Sequence, residues 1–436
     1  MLLVIWSVLN RLVYDVFGRV LSILSDRIRD QLLVRENLRT DLISLAEKRQ
    51  DYGDAILFFC SSAGEFEQAR PLIDKLSANR DLLCHVIFFS ASGAKFVRAR
   101  KDDVSWSMSP LDDAGAWHEI FTVLRPSMAL IVRHELWPSF LWVAAQYCEI
   151  VVINAVIPSL FGRQSAWKDK VNVWIKSWLM RFVDRVFVVT AADREFFVNW
   201  LRVSPDLVQV SGDTKYDRVI QRASQKQAAM SDLRERFSRI WPMDGFERTL
   251  IIGSAHLPDV QWLVDSLASE KLAKLRILVV PHDVSSGNVA KIYDAFRQHK
   301  LTVELLSEIE SGAKSSGESP RVLIADEMGR LSELYGLADY AWIGGAAHHK
   351  VHNVLEPAAW GIPVLCGPHY QNSQEAVAMA NAGVLRVIAT QERVLEALID
   401  MMASARDEGD RARHFAREMS GATELVLNSI NATRHA

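Results

Sequence analysis

The sequence has little cysteine and uses it without pattern. Four thiols, Cys60, Cys84, Cys148 and Cys366, are scattered over 436 residues. No CxxC occurs and no spacing matches a structural metal site, so neither a disulfide scaffold nor a zinc ribbon is expected. Three of the four lie in or beside apolar runs and read as buried thiols of a reducing compartment. An excess of one charge is missing too. Fifty Lys+Arg stand against 53 Asp+Glu, a formal net charge of −3, which gives no sign of a nucleic-acid partner. There is no internal repeat. The first uncharged run ends at Asn10, well short of the ~20 residues that span a bilayer, and no small-residue cleavage site follows it, which argues against a removable signal peptide.

What is present reads as a globular chain, 49% hydrophobic and 24% charged, too long for one ordinary core. Residues 1–24 are amphipathic as a helix. Ser7, Arg11, Asp15, Gly18, Arg19 and Ser22 share one face, and apolar side chains cover the rest. A helix lying in a membrane interface fits this better than a crossing one, with packing on its own domain as the alternative. Thirteen tryptophans are many and hint at interfacial or ring-binding surfaces, although a large core accounts for most of them.

Short β-branched and aromatic runs alternate with helix-length amphipathic stretches. Strands are expected at 55–60, 85–89, 128–132, 150–153, 186–189 and 207–210, then at 249–252, 276–280, 303–306, 322–325, 341–343 and 363–366. Two such series predict two doubly wound α/β domains with parallel sheets. The domains are expected at 41–212 and 213–420, after a membrane-associated helix and basic flank at 1–40. A terminal helix within 402–436 is expected to cross back to the first domain. In open parallel sheets, ligands bind beyond the carboxyl ends of strands. That rule selects SSAGE (61–65), RHELW (133–137), GSAH (253–256), PHD (281–283), DEMG (326–329) and Gly344-Gly345. Facing strand ends would enclose a cleft.

Asn353 and Glu356, in HNVLEPAAWGIPVLCGP, are expected in the first turn of a helix, where free N–H groups suit a phosphate and a carboxylate suits ribose hydroxyls. Ordinary capping, with Asn353 as N-cap and Glu356 three residues on, is the alternative. His348, His349 and His352 invite a zinc reading, but no fourth ligand stands at structural-site spacing, and no metal is expected. Trp167, Val171, Trp174 and Trp178 share a helical face among basic residues. A core stripe with a solvated basic face is the favoured reading, and a rim for anionic lipid is the alternative.

The order SxGE, HELWP, GDTKYD, GSAH, DEMGxLxxLYxxAD, HNxLEPAAxGxPVLxGP, spread over residues 1 to about 420, resembles the Kdo transferases, which move 3-deoxy-D-manno-octulosonic acid from CMP-Kdo onto lipid A precursors. The resemblance implies a GT-B fold of two Rossmann-like domains facing a central cleft. It also implies an inverting, metal-independent reaction without a cofactor beyond the donor substrate. The implied location is the cytoplasmic face of the inner membrane, held by the N-terminal segment. The partners implied are lipid A precursor, CMP-Kdo and the membrane surface, with no nucleic acid and no stable protein partner.

By the same resemblance Glu65 is the catalytic base, ionised at neutral pH if its pKa is the ordinary ~4.3. Capping of a helix's first turn is its other reading. Glu135 contacts donor or acceptor, and Lys215 neutralises an anionic group. Ser254 lies in a small-residue loop of the donor domain. Met328 and Gly329 pass beside the base, and Asn353 and Glu356 hold phosphate and ribose. Two departures stand out. His282 stands near the place of a donor-binding arginine, and Arg133 stands where relatives often carry glutamate. Arg133 is expected to pair with Glu135 or Glu65, or to meet an anionic substrate group. A GT-B enzyme with another nucleotide sugar, such as a UDP donor, and a catalytically inactive membrane-associated relative are the alternative functions.

Overall fold

The computed structural model describes residues 38–100, 103–110, 112–133, 135–158, 166–312 and 319–434. Residues 1–24, with the anchoring role expected of them, lie outside these. Among the described residues no helix is long and apolar enough to cross a membrane.

The chain divides into two compact units, 1–218 with 420–436, and 219–419. The division falls within the helix Thr214–Gln227, six residues beyond the glycine turn at which a boundary was expected. The expected terminal helix is two helices, Val394–Glu418 and Ala422–Arg434. They are broken at Gly421, whose φ of 112° suits glycine, and only the second belongs with the first unit.

The first unit holds β1 (Asp54–Cys60), β2 (Leu82–Phe88), β3 (Ser105–Met108), β4 (Met128–Val132), β5 (Glu149–Ala155), β6 (Arg185–Val188) and β7 (Val208–Val210). They form one parallel sheet in the order β3-β2-β1-β4-β5-β6-β7. The second unit holds β8 (Arg248–Ala255), β9 (Leu275–Pro281), β10 (Val303–Leu305), β11 (Val322–Ile324), β12 (Tyr340–Ile343), β13 (Val364–Cys366) and β14 (Leu385–Val387). These form a second parallel sheet, β10-β11-β9-β8-β12-β13-β14. Both units are doubly wound, the class expected.

The central strands are buried on both faces, as helix-covered parallel strands must be, and read as continuous apolar runs. The two strands missed in the sequence, β3 and β14, are short sheet edges of mixed polarity (SWSM and LRV) that bury only part of their length. Each sheet reverses its winding next to its first strand, between β1 and β4 and between β8 and β12. Those are the topological switch points at which such sheets open a crevice for ligands.

Candidate functional site

At the first switch point, β1 runs through Ser61 and Ser62 into the helix Ala63–Leu76. Glu65 is the third residue of that helix, and its Oε2 accepts a hydrogen bond from the Ser62 N–H at 2.9 Å. The capping reading therefore holds, and it fixes the carboxylate's position. The ordinary acidity expected of Glu65 does not hold. Burial, and then the negative charge of Glu135, raise its pKa to about 7, against opposing pulls from the Ser62 and Ser61 N–H groups and Arg133. Beneath it Cys60 is fully buried. Burial, and then Glu65 and Glu135, push its thiol well above the usual range, so it is inert as a nucleophile.

Glu135 follows β4, and Trp137 Nε1 donates to its Oε2 at 2.7 Å. The indole stacks on Phe89, with centroids 4.5 Å apart. Lys176, on the helix Ala166–Leu179, is lowered by burial while Glu135 pulls it back up. Arg133 leaves β4 at a φ of 65°, in the left-handed region. Its Nη2 donates to Asp213 at 3.4 Å, so its ion pair is with Asp213 rather than with Glu135 or Glu65. It reaches Glu65 through its field alone.

Asp213 is buried and also receives Gln68 Nε2 and the backbone N–H of Lys215, while Lys215 itself is half-buried at the start of the helix Thr214–Gln227. Sequence reasoning passed over Asp213, although it stands in the quoted GDTKYD. Nothing in the motif distinguishes a ligand-facing lysine from the aspartate that anchors its turn.

The tryptophan face is not a core stripe. Trp167 and Trp174 are each 64% exposed and Val171 is 45% exposed, with Lys168 and Lys170 exposed beside them. Only Trp178 of the four packs on the core.

At the second switch point, β8 ends in a register shift and Ser254 takes a φ of 51°. Gly344 comes so close that a Cβ there would lie 2.3 Å from the Ser254 carbonyl oxygen. Asp259, fully buried and unforeseen, ties the loops together. Its Oδ2 accepts from the backbone N–H of His256 at 2.9 Å and of Gly345 at 2.8 Å. Gly345 has a φ of 88°, and a Cβ there would meet the Lys350 carbonyl oxygen at 2.1 Å. Gly345→Ala is expected to destabilise this unit by about 1–3 kcal/mol, read as a lower midpoint in urea.

Asn353 lies outside the six-residue helix Leu355–Trp360, whose N-cap is Val354, so it is neither in the first turn nor the N-cap as expected; its Oδ1 accepts from the Leu355 N–H at 3.0 Å. Glu356 is the second residue of that helix. Arg222 donates to Glu356 Oε1 at 3.2 Å, and the buried Tyr335 is held well above its usual range by burial and then by the Glu356 charge. Met328 is 72% exposed and Gly329 has a φ of 86°, on the loop after β11, two strands away from β8.

His282, exposed after β9, meets His256 and His352 rather than standing alone. The histidine grouping suspected at 348, 349 and 352 is thus replaced by one in which His352 joins residues from two other strand ends. Burial first, and then the neighbouring imidazoles, lower His352 to about 4, and burial followed by His282 lowers His256, so both are neutral at pH 7.

Residues 35–218 match the family described as 3-deoxy-D-manno-octulosonic-acid transferase (kdotransferase). A 3-deoxy-D-manno-octulosonic acid transferase of Haemophilus influenzae is 26% identical over 88% of this chain and 90% of its own. One from Bordetella pertussis is 23% identical over 85% of each. Among solved structures, a UDP-GlcNAc 2-epimerase from Neisseria meningitidis bound to UDP-GlcNAc overlays with a TM-score of 0.61 at 12% identity, covering 87% of this chain and 100% of that one, a likeness of fold alone. Two seven-stranded Rossmann-like units, the family match across the first unit and relatives of one name over most of the chain make this chain similar to the Kdo transferases, a glycosyltransferase family.

Proposed function

We propose that this chain transfers Kdo from CMP-Kdo to a lipid A precursor in an inverting, metal-independent reaction. The first unit binds the acceptor and supplies Glu65. The second unit binds the donor, with Asn353, Glu356, Ser254, His282 and the Met328–Gly329 loop around the nucleotide. The observation that carries this reading is Glu65. A carboxylate with a pKa of about 7, fixed by the Ser62 N–H at a topological switch point, has the basicity a general base needs at neutral pH. As the acceptor hydroxyl oxygen bonds to the anomeric carbon, its proton passes to Glu65. The bond from that carbon to the CMP phosphate oxygen breaks, and CMP leaves with the electron pair.

The neighbours of Glu65 supply the test. Activity requires the ionised carboxylate, so the rate falls as pH drops through about 7. Glu135→Gln removes a negative neighbour and is expected to move that acid limb to lower pH. Arg133→Ala removes a positive one and is expected to move it to higher pH. Opposite displacements in pH–rate profiles support the base assignment, and unmoved limbs in both variants contradict it.

The acceptor is amphiphilic, and the exposed Trp167, Val171 and Trp174 beside Lys168 and Lys170 support a surface that meets anionic lipid at the cytoplasmic face of the inner membrane. Residues 1–24 add an interfacial anchor. Their deletion is expected to move the protein toward the soluble fraction on cell fractionation. Release of the full-length protein by high salt alone contradicts apolar insertion.

A further inference from the structure

The three imidazoles of the second unit form a set of ligands. His256 caps the helix Leu257–Leu267 after β8, His282 follows β9, and His352 lies on the loop that leaves β12. These strands are adjacent in the sheet, in the order β9-β8-β12. The backbone holds each histidine. The His282 N–H donates to the Ala255 carbonyl at 2.9 Å, the His352 N–H donates to the Gly344 carbonyl at 3.1 Å, and the His256 N–H donates to buried Asp259. The same Asp259 carboxylate holds Gly345, where a Cβ would stand 3.0 Å from the His352 ring. The chain is thus shaped so that the rings can approach.

They approach closely. The Nε2 atoms of His256 and His352 are 2.8 Å apart, and one ring nitrogen from each of the three residues lies within 4.8 Å of the others. Ring centroids are separated by 4.5 to 5.1 Å. A hydrogen bond links His256 and His352, and the His282 ring lies against both, its plane 22° from that of His352 and 33° from that of His256, so that three strand ends bring three donor nitrogens to one place.

We propose that His256, His282 and His352 bind a divalent transition metal of the zinc class. Bonds of about 2.0–2.1 Å set ligand nitrogens roughly 3.3 Å apart at a tetrahedral ion. To reach it the 2.8 Å His256–His352 hydrogen bond opens and the near-parallel rings turn so that all three nitrogens face one ion. Three nitrogen donors select zinc, cobalt, nickel or copper over magnesium and calcium, which take oxygen. With three protein ligands the ion keeps one position open, on the side where His282 is exposed, for water or an anionic oxygen. The metal site stands independently of the donor reading above.

The test is zinc titration by calorimetry on the untagged full-length protein, stripped with a chelator, with cobalt absorption as the spectroscopic readout. One equivalent of zinc is expected to bind at micromolar affinity or tighter. The cobalt complex is expected to show nitrogen-ligand bands without thiolate charge transfer. His282→Ala, which alters an exposed side chain, and His352→Ala are each expected to weaken zinc by at least about tenfold. His414→Ala, at an exposed histidine on the helix Val394–Glu418, is expected to leave it unchanged. Binding weaker than millimolar, or wild-type affinity in both site variants, overturns the proposal. A parallel CMP titration separates the two claims. Zinc binding without any CMP binding leaves the metal site standing and removes the donor reading, whereas CMP binding without zinc binding does the reverse.

Discussion

Glu65→Gln is expected to leave CMP binding unchanged and to lower transfer by about 10² to 10⁴-fold, the usual contribution of a positioned general base. Glutamine keeps an oxygen for the Ser62 N–H and so preserves the start of the helix, but it takes no proton from a hydroxyl. The same substitution has a second signature. The carboxyl's pKa rises from the ordinary 4.5 to about 7 on folding. The folded state therefore holds the proton more tightly than the unfolded chain. Its contribution to stability is fully present below about pH 4.5 and is lost as pH rises through about 7. The neutral glutamine is spared that loss, so the variant is expected to melt higher than the wild type at pH 8 and with little difference at pH 4. A rate within a few-fold of wild type removes Glu65 from the chemistry. A thermal midpoint equally displaced at both pH values removes the burial argument.

Glu356→Ala carries the next largest expected effect. Losing a charged acceptor of two ribose hydroxyls costs about 1.5–3 kcal/mol, roughly 10- to 150-fold in CMP affinity. The structure adds a contribution the motif alone did not reveal. Glu356 is also the partner of Arg222, so its removal leaves a half-buried guanidinium without that carboxylate. Arg222→Ala serves as the control. It breaks the same pair and keeps the carboxylate, so CMP affinity is expected to fall less than in Glu356→Ala. Equal losses in the two variants make the pair structural, and unchanged CMP affinity by calorimetry in Glu356→Ala rules out the ribose contact.

The parallel sheets were legible because strands buried on both faces, such as β1 and β4, are almost wholly apolar, and loops beyond their carboxyl ends change abruptly to small and ionisable residues. Position after a strand was enough to pick Glu65, Arg133, Glu135, Ser254, His282 and Gly344. Distance in the chain hid the rest. Arg133 and Asp213 are eighty residues apart, and no local pattern announces their pairing. Asp259 looks like any acidic residue in a helix's first turn until three N–H groups from two loops converge on it. The charge state of Glu65 depends on burial and on Glu135 seventy residues away, so its spacing from the SSAG turn gave the position and not the pKa. The Trp167–Trp174 face misled for a related reason. Apolar residues at helical spacing mark a face that avoids water, without saying whether protein or lipid covers it.

The most direct measurement of the central claim is mass spectrometry of a lipid A precursor after incubation with the purified full-length protein and CMP-Kdo generated in the same reaction. The account predicts an acceptor heavier by whole Kdo residues with wild type, and acceptor unchanged with Glu65→Gln under the same conditions. Unmodified acceptor with the wild-type protein, or equal conversion by the Glu65→Gln variant, would contradict it.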